Sequence, residues 1–263
     1  MKKVLRSIVL SSIAFTSISF TNIANAADLK VGATPVPHAK ILEVIAPTLK
    51  KQGITLKIVE FSDYVMPNLA LADKSLDANF MQHLPYLEKI NKDKSLNLVG
   101  IAQIHIEPLG VYSKKIQNIN ELKKGAMIAI PADPSNGARA LILLHNNGII
   151  TLKDPKNLNA TIYDIKANPK KLKIKPIEAG LLTKALDDVS IAVINGNFAL
   201  QAGLYSKDAI LLEDSRSPYA NILVIRTGDE NRKDIVELKK ALQSPEVKKF
   251  IEETYKGEII PAF

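Results

Sequence analysis

The chain has 263 residues, a length that predicts one large domain or two medium-sized ones. Hydrophobic residues make up 46% and charged residues 24%, which are ordinary globular values and exclude a disordered chain or a multispan membrane protein. The absence of cysteine excludes disulfides, thiolate metal sites and thiol nucleophiles, and aromatic residues at 5% disfavour nucleic-acid binding by base stacking despite the net charge of +8.

The first 26 residues have the pattern of a secretory signal peptide. Lys2, Lys3 and Arg6 form a basic start, an apolar stretch diluted with serine and threonine follows, and Ala24-Asn25-Ala26 is a cleavage motif. We therefore expect cleavage after this motif and a mature protein in the periplasm. Because the chain lacks cysteine, we also expect no lipid anchor on the exported protein.

Beyond this segment, strand-like and helix-like patterns alternate along the chain. Strands are predicted where apolar residues alternate or form short runs, and helices where they recur every three or four residues, with glycine stops at Gly53 and Gly148. The predicted strands cover residues 29–33, 54–61, 78–81, 96–103, 111–112, 127–130, 160–165, 172–177, 191–194 and 220–226. The predicted helices cover residues 39–52, 63–73, 85–91, 120–124, 136–147, 180–187, 198–202 and 233–255.

This alternation predicts an α/β protein, because parallel strands need a crossover of a dozen or more residues and the helices supply it. There are two such series, at about residues 29–105 and 111–213. We expect two lobes, each a mostly parallel sheet flanked by helices. Ligands in such folds bind at the carboxyl ends of strands, so the cleft between the lobes is the expected ligand site.

Aromatic, thioether and imidazole side chains follow the second and third predicted strands. Tyr64 stands where a strand gives way to a helix, and it either faces the cleft or packs in the core. If the next strand is extended, Met81 and His83 share one face and Tyr86 follows at the turn. These side chains would form an apolar wall with polar tips. A hydrogen-bonded core histidine is the alternative for His83.

A proline-rich turn joins a predicted strand to the helix that contains Arg139. Ser135 or Asn136 can cap this helix, whose first N–H groups favour an anion. The planar guanidinium of Arg139 suits a carboxylate better than lysine would, and a surface arginine is the alternative.

Asparagines accompany two later strands. Asn195 and Asn197 flank Gly196 directly after a buried strand, and Asn221 lies at the start of another. An amide offers both a donor and an acceptor, as a zwitterionic ligand requires, and Gly196 permits close backbone approach. A helix cap is the alternative interpretation of Asn197.

No nucleotide-binding, serine-hydrolase or zinc-protease motif is present, and the four histidines are dispersed along the chain. We therefore predict no metal, no cofactor, no nucleic-acid partner and no enzymatic activity. Two alternatives stay open. One is an extracytoplasmic enzyme that uses His83 with Asp133 or Glu107, and the other is a surface adhesin built on the same fold.

Six ordered stretches resemble the methionine-binding, NlpA-type substrate-binding proteins of ABC importers. These stretches are FSDYVMPNLAL, DANFMQHLPYL, PLGVYSKKI, IAIPADPSNGARAL, IAVINGNFAL and SPYANILVIR. The resemblance extends over residues 28–263 and implies a two-lobed periplasmic-binding-protein fold of type II, with the ligand in the interlobe cleft. It implies a monomer that captures L- or D-methionine or a related amino acid and delivers it to the permease and ATPase of an inner-membrane ABC transporter.

The resemblance also implies how the chain is divided and which residues bind. Residues 1–26 would be the signal peptide, residues 27–111 with 220–263 lobe 1, and residues 112–219 lobe 2. Met81 stands where phenylalanine is usual in the family, which bears on side-chain preference. Carried over residue by residue, the thioether is surrounded by Tyr64, Met81, His83 and Tyr86, the carboxylate is bound by Arg139, and the rest of the amino acid meets Asn195 and Asn221, with Asn136 and Asn197 as near neighbours.

Overall fold

The computed structural model describes residues 27–214 and 218–263. The predicted signal peptide at residues 1–26 lies outside the described residues. Within the two described ranges, no helix combines the length and the apolar composition needed to cross a membrane. The described chain forms two α/β lobes, each with its own sheet.

Lobe 1 is built on a six-stranded sheet. Its strands are β1 (Ala27–Ala33), β2 (Ile54–Glu60), β3 (Ala78–His83), β4 (Leu98–Ile106), β12 (Ala220–Arg226) and β13 (Ile260–Pro261). They lie in the order β13-β4-β12-β3-β1-β2, so the late strand β12 occupies the space between β3 and β4. β1 pairs in parallel with β2 and β3, whereas β12 is antiparallel to both of its neighbours.

Helices cover both faces of this sheet. They are α1 (Lys40–Lys51), α2 (Met66–Ala72), α3 (Leu84–Lys94), α7 (Lys233–Leu242) and α8 (Pro245–Tyr255). α1 buries Ile41, Ile45 and Leu49 on one stripe, which packs with α7, α8 and one face of the sheet. This is the spacing of an amphipathic helix against a core. Leu71 of α2 and Leu87 of α3 pack on the opposite face.

Lobe 2 is built on a five-stranded sheet. Its strands are β5 (Gly110–Tyr112), β6 (Met127–Pro131), β9 (Lys173–Ile177), β10 (Ile191–Ile194) and β11 (Leu211–Leu212), in the order β11-β5-β10-β6-β9. β7 (Thr151–Leu152) and β8 (Ile165–Ala167) form a separate antiparallel pair. The helices are α4 (Pro134–Asn146), α5 (Leu182–Ala185) and α6 (Gly196–Gln201).

Both sheets are mixed, and their predicted mostly parallel character is confirmed, because four of the six described strands in lobe 1 and four of the five in lobe 2 run in one direction. β6 pairs in parallel with β9 and β10, but β5 is antiparallel to β10 and β11. A strand–helix–strand pattern fixes parallel pairing only where a helix separates the two strands. β4 is followed by β5, and β11 by β12, with no helix among the described residues between them, and at both places the chain passes to the other lobe.

Two segments therefore join the lobes. We call residues 107–109 the first crossover and residues 213–219 the second crossover; residues 215–217 of the second lie outside the described part of the chain. Glu213 N–H donates to the carbonyl of Leu109 at 2.9 Å, so the two crossovers lie side by side.

The differences between predicted and observed elements have local causes. The helix predicted from residue 63 begins at Met66, because the N–H groups of Val65 and Met66 both donate to Asp63 Oδ1 at 2.8 Å and hold a turn. The strand predicted at residues 160–165 is displaced to β8. The glycine stops are confirmed, since Gly53 and Gly148 adopt φ of +79° and +70° directly beyond the ends of α1 and α4.

The packing of β12 predicts a large loss of stability in Leu223→Ala. Leu223 is fully buried in the middle of the lobe 1 sheet, and truncation leaves a cavity there. We expect the free energy of unfolding in urea to fall by about 2–5 kcal/mol. The control is Val59→Ala in β2, where the side chain is 37% exposed and the loss should stay below about 1 kcal/mol. Equal losses in the two variants would contradict this assignment of the core.

Candidate functional site

A cavity with about 340 Å³ of empty volume lies between the lobes. All nine residues predicted for ligand binding are brought together around it, although they come from segments spread over most of the chain. Their role as ligand contacts stays a prediction. The lining residues are Tyr64, Met81, Gln82, His83, Tyr86, Glu107, Asn136, Arg139, Asn195, Gly196, Asn197 and Asn221.

One wall of the cavity comes from lobe 1 and is largely aromatic. The side chains of β3 alternate, so that Phe80 packs in the core while Met81 and His83 face the cavity. Tyr64 packs edge-on to Tyr86, with ring centroids 5.8 Å apart. Tyr64 is 7% exposed and also lines the cavity, so both interpretations considered for it, cleft wall and core packing, describe its position.

His83 holds its place through both ring nitrogens. Nδ1 accepts the N–H of Tyr86 at 3.2 Å and thereby caps α3, and Nε2 donates to Asn136 Oδ1 at 3.0 Å. Burial, reinforced by the nearby charge of Arg139, lowers the pKa of His83 to about 3. His83 is thus a neutral, hydrogen-bonded histidine whose ring, rather than a free nitrogen, faces the cavity.

Asn136 bridges the lobes inside the protein. Its oxygen accepts from His83 and from Asn195 Nδ2 at 2.8 Å, and its nitrogen donates to Asp133 at 3.0 Å. The prediction that Ser135 or Asn136 caps α4 is wrong, because the cap is Asp133, whose Oδ1 accepts the N–H of Asn136 at 2.9 Å. Burial raises the pKa of Asp133, although these hydrogen bonds oppose the shift.

The asparagines at the start of α6 leave two buried polar atoms without partners among the described residues. Tyr64 Oη donates to Asn197 Oδ1 at 2.6 Å across the lobes, and burial holds the pKa of Tyr64 well above its usual value. Asn197 Nδ2 and Asn195 Oδ1 have no hydrogen-bond partner in the described chain. The cavity wall therefore offers one free donor and one free acceptor.

Arg139 is buried, so the interpretation as a surface arginine is wrong. Its guanidinium donates through Nε to Glu213 Oε1 at 2.9 Å and through Nη2 to the other carboxylate oxygen of Glu213. Nη2 also donates to the backbone oxygen of Glu107 at 2.9 Å. The plane of the guanidinium lies over the ring of Tyr219, with Cζ 4.3 Å from its centroid. Arg139 thus already has a carboxylate partner within the protein.

Glu107 is the centre of a buried hydrogen-bond network. His105 Nε2 donates to Glu107 Oε1 at 2.7 Å, and His38 Nε2 lies 3.3 Å from the same oxygen and 3.1 Å from Asn221 Oδ1. Because both neighbours of His38 Nε2 are acceptors, this nitrogen carries the proton. His38 Nδ1 then accepts from the hydroxyl of Thr34 at 2.7 Å. Glu107 Oε2 accepts no hydrogen bond from the described residues.

The charges in this network are unequal. Burial lowers the pKa of His38 to about 4, so its ring is neutral near pH 7, although the neighbouring Glu107 opposes the shift. Burial raises the pKa of Glu107, but His38 and His105 outweigh this effect and bring it below the ordinary carboxylate value. Glu107 is therefore an ionised carboxylate beside the neutral ring of His38.

The same three side chains are of types that bind metal ions. His38, His105 and Glu107 bring ligand atoms within 4.8 Å of one another, which the dispersed sequence positions of the histidines did not predict. Both histidines, however, present an N–H group to one oxygen of Glu107. The arrangement is that of a hydrogen-bonded carboxylate, and a metal ion would have to replace these bonds.

Sequence reasoning assigned no ligand-site role to Gln82, Glu107 or Glu213. Gln82 is bound to Asn68 and Asn79 in a buried set of amides, and the signal for it was its position between Met81 and His83. Gly196, noted in the sequence for close approach, packs on the first crossover. A Cβ atom there would lie 2.8 Å from Glu107 Cβ and 3.3 Å from the oxygen of Pro108.

Two α/β lobes that are joined by two crossovers and enclose a polar cavity define a two-lobed substrate-binding protein. Comparison with known families agrees, since the model of the NlpA lipoprotein family matches residues 29–263. The chain belongs to this family.

Individual relatives cover almost the whole chain. A probable D-methionine-binding lipoprotein MetQ of Haemophilus influenzae is 43% identical over 235 residues, 88% of this chain and 86% of that protein. The methionine-binding lipoprotein MetQ of Bacillus subtilis is 41% identical over 240 residues, 89% of this chain and 88% of that protein. The structure of a nutrient-binding protein from Burkholderia cenocepacia bound to methionine superposes with a TM-score of 0.86 at 44% identity, over 89% of this chain and 100% of that one.

The comparison corrects the expected location. We expected a periplasmic protein free of a lipid anchor, but the relatives are named as lipoproteins and so is the family. The expectation is wrong. It rested on the Ala24-Asn25-Ala26 cleavage motif and the absence of cysteine, and these are weaker grounds than the family whose model matches residues 29–263.

The two buried histidines predict that stability falls as the pH is lowered from 7 to 5. The pKa values of His38 and His83 are about 4 and about 3 in the folded chain, against 6.5 in the unfolded chain. Only the unfolded chain takes up these protons below about pH 6.5, which costs about 2 kcal/mol per histidine by pH 5. Urea unfolding at pH 7, 6 and 5 measures this loss.

The variant His83→Gln should lose less unfolding free energy between pH 7 and 5 than the wild type, because it lacks one of the two buried histidines. A free energy of unfolding that stays constant between pH 7 and 5 would mean that these histidines take up protons equally in the folded and the unfolded chain, which would contradict their lowered pKa values.

Proposed function

We propose that the protein is an extracytoplasmic solute-binding protein that captures methionine, as the L- or D-isomer, or a closely related amino acid, and delivers it to an ABC transporter permease with its ATPase. The observation that carries the proposal is the pairing of a buried carboxylate and a buried guanidinium across one small cavity, with amide groups between them. A zwitterion is the class of ligand that matches both charges.

Glu107 is proposed to bind the ammonium group. Arg139 is already paired with Glu213, and the ring of His38 is neutral near pH 7, so neither of them supplies Glu107 with a cation in direct contact. Its Oε2 atom is free of hydrogen bonds from the described residues. A buried carboxylate in this state is stabilised by a ligand cation, and Asn195 Oδ1, which lacks a partner, can accept from the same ammonium group.

Arg139 is proposed to bind the ligand carboxylate. Its Nη1 atom makes no hydrogen bond to the described residues, and Arg139 lines the cavity. The free Nδ2 atom of Asn197 is a second donor on the same lobe. Donors of this kind satisfy a carboxylate that loses its water when it is enclosed.

The side chain of the ligand is proposed to lie against Tyr64, Met81, His83 and Tyr86. These residues present aromatic faces and a thioether, which suit an unbranched, polarizable side chain such as that of methionine. Sulfur–aromatic contacts are each worth about 0.3–1.5 kcal/mol. The enzyme alternative draws no support here, since both nitrogens of His83 are engaged by Tyr86 and Asn136.

The two lobes predicted as residues 27–111 with 220–263 and residues 112–219 are proposed to move relative to each other, with the boundary at the first crossover because β5 begins at Gly110 in lobe 2. The hydrogen bonds Tyr64–Asn197 and His83–Asn136 run from one lobe to the other. A ligand that contacts both sides favours the closed arrangement, and a transporter can distinguish closed from open.

Titration of refolded protein with L-methionine in a calorimeter tests the proposal, with Glu107→Gln as the diagnostic variant. We expect one methionine per chain in the wild type, and at least about 30-fold weaker binding in the variant, because the ammonium loses its charge partner. The affinity for 4-(methylthio)butanoate, which lacks the ammonium group, should differ much less between wild type and Glu107→Gln.

The control is Glu43→Gln, which removes an exposed carboxylate that is paired with Lys40 and does not line the cavity, and which should leave methionine binding within about twofold. No binding of methionine by the wild type would contradict the proposed function. Wild-type affinity in Glu107→Gln would contradict only the ammonium assignment.

Met81→Phe should change selectivity more than stability. Methionine adapts to irregular space, whereas the rigid phenylalanine ring selects for shape. We expect the ratio of the affinities for methionine and leucine to differ about tenfold between wild type and variant. Competition titrations measure this ratio under conditions in which the two proteins are equally stable. If the substitution changed the affinities for methionine and leucine by the same factor, Met81 would not contact the ligand side chain.

A further inference from the structure

Arg139 is the point at which the cavity meets both crossovers. Its Nη2 atom donates to the backbone oxygen of Glu107 in the first crossover, at 2.9 Å. Its Nε and Nη2 atoms bind the two carboxylate oxygens of Glu213 in the second crossover. Tyr219, also in the second crossover, stacks on the guanidinium plane at 4.3 Å. The helix that bears Arg139 belongs to lobe 2, so this one side chain ties all three segments together.

We propose that Glu213 is a positioning residue for the ligand carboxylate, an inference that rests on the proposed function. A guanidinium has two edges that can bind a carboxylate side by side, and Glu213 occupies the Nε–Nη2 edge. Tyr219 fixes the plane of the group, and Glu213 fixes its rotation within that plane. The Nη1 atom is thereby turned away from Glu213, and the ligand carboxylate meets Arg139 from that end rather than along the Nε–Nη2 edge.

The carboxylate of Glu213 is itself held in place. The N–H of Leu109 in the first crossover donates to Glu213 Oε2 at 3.3 Å, and Glu213 N–H donates back to the oxygen of Leu109 at 2.9 Å. The side chains of Arg139 and Glu213 are only 4% and 14% exposed, so solvent screens the pair little. Both partners of the ion pair thus have fixed positions before a ligand arrives, which is what precise orientation of a binding group requires.

Two effects of Glu213 on the ligand oppose each other. Its negative charge weakens the positive potential of Arg139 and so disfavours a ligand carboxylate, whereas the fixed orientation of the guanidinium favours it. Removing the charge therefore tightens carboxylate binding if Glu213 only competes with the ligand, and weakens it if Glu213 positions Arg139. The sign of the change separates the two roles.

The experiment compares wild type with Glu213→Gln and Glu213→Ala, using L-methionine and methionine amide, in which a neutral amide replaces the carboxylate. Calorimetry gives the affinity for methionine, and displacement of methionine gives that for the amide. We expect both variants to bind methionine about tenfold more weakly, with less than threefold change for methionine amide. Circular dichroism and urea unfolding establish that the variants are folded, and Glu43→Gln serves as the control for loss of a carboxylate away from the site.

A double-mutant comparison completes the test. In the Arg139→Ala background, Glu213→Ala should weaken methionine binding by less than twofold further, because its effect acts through Arg139. Tighter methionine binding by Glu213→Gln would overturn the proposal in favour of simple competition. Equal weakening for methionine and the amide, or an undiminished effect of Glu213→Ala without Arg139, would overturn it in favour of a general structural role. Wild-type protein that fails to bind methionine would instead refute the proposed function.

Discussion

An ionised carboxylate buried between two lobes is unstable unless donors surround it, and Glu107 shows how this chain meets that constraint. The donors come from His105, at the end of β4 just before the first crossover, and from His38 in the turn ahead of α1. Asn221 on β12 and Thr34 fix the ring of His38 in turn. The carboxyl ends of β1 and β4 and the amino end of β12 are therefore tied to one charged group, which lines the cavity.

Lobe 2 lines the same cavity with other kinds of side chain. It contributes amides from the starts of α4 and α6 and the guanidinium of Arg139, while lobe 1 contributes aromatic rings and the carboxylate. Each hydrogen bond between lobes, such as Tyr64 to Asn197, exchanges for one with water when the cleft opens. The net value of such a bond is about 0.5–1.5 kcal/mol, so a few of them leave opening and closing close enough in free energy for a ligand to shift the balance.

The two-lobed class and the residues around the cavity could be predicted from the sequence, because both depend on local sequence patterns. Alternating strands and helices, glycine stops and ordered motifs around Tyr64, His83, Arg139 and Asn195 need no knowledge of distant contacts. The pairing of Arg139 with Glu213 joins residues 74 positions apart, and that of His38 with Asn221 residues 183 apart. No periodic sequence pattern links a glutamate or a histidine to a partner so far away in the chain. These contacts can therefore be seen only in the folded structure.

The position of β12 has a consequence for the order in which the chain can become structured. Lobe 2 is formed by one continuous stretch, so every contact within its sheet is available before residues 220–263 are made. Lobe 1 is different, since β3 and β4 are separated by a strand that is made more than a hundred residues later. Pairing across that separation carries a large loop-closure cost, which makes completion of the lobe 1 sheet the slow, late event in the assembly of this protein.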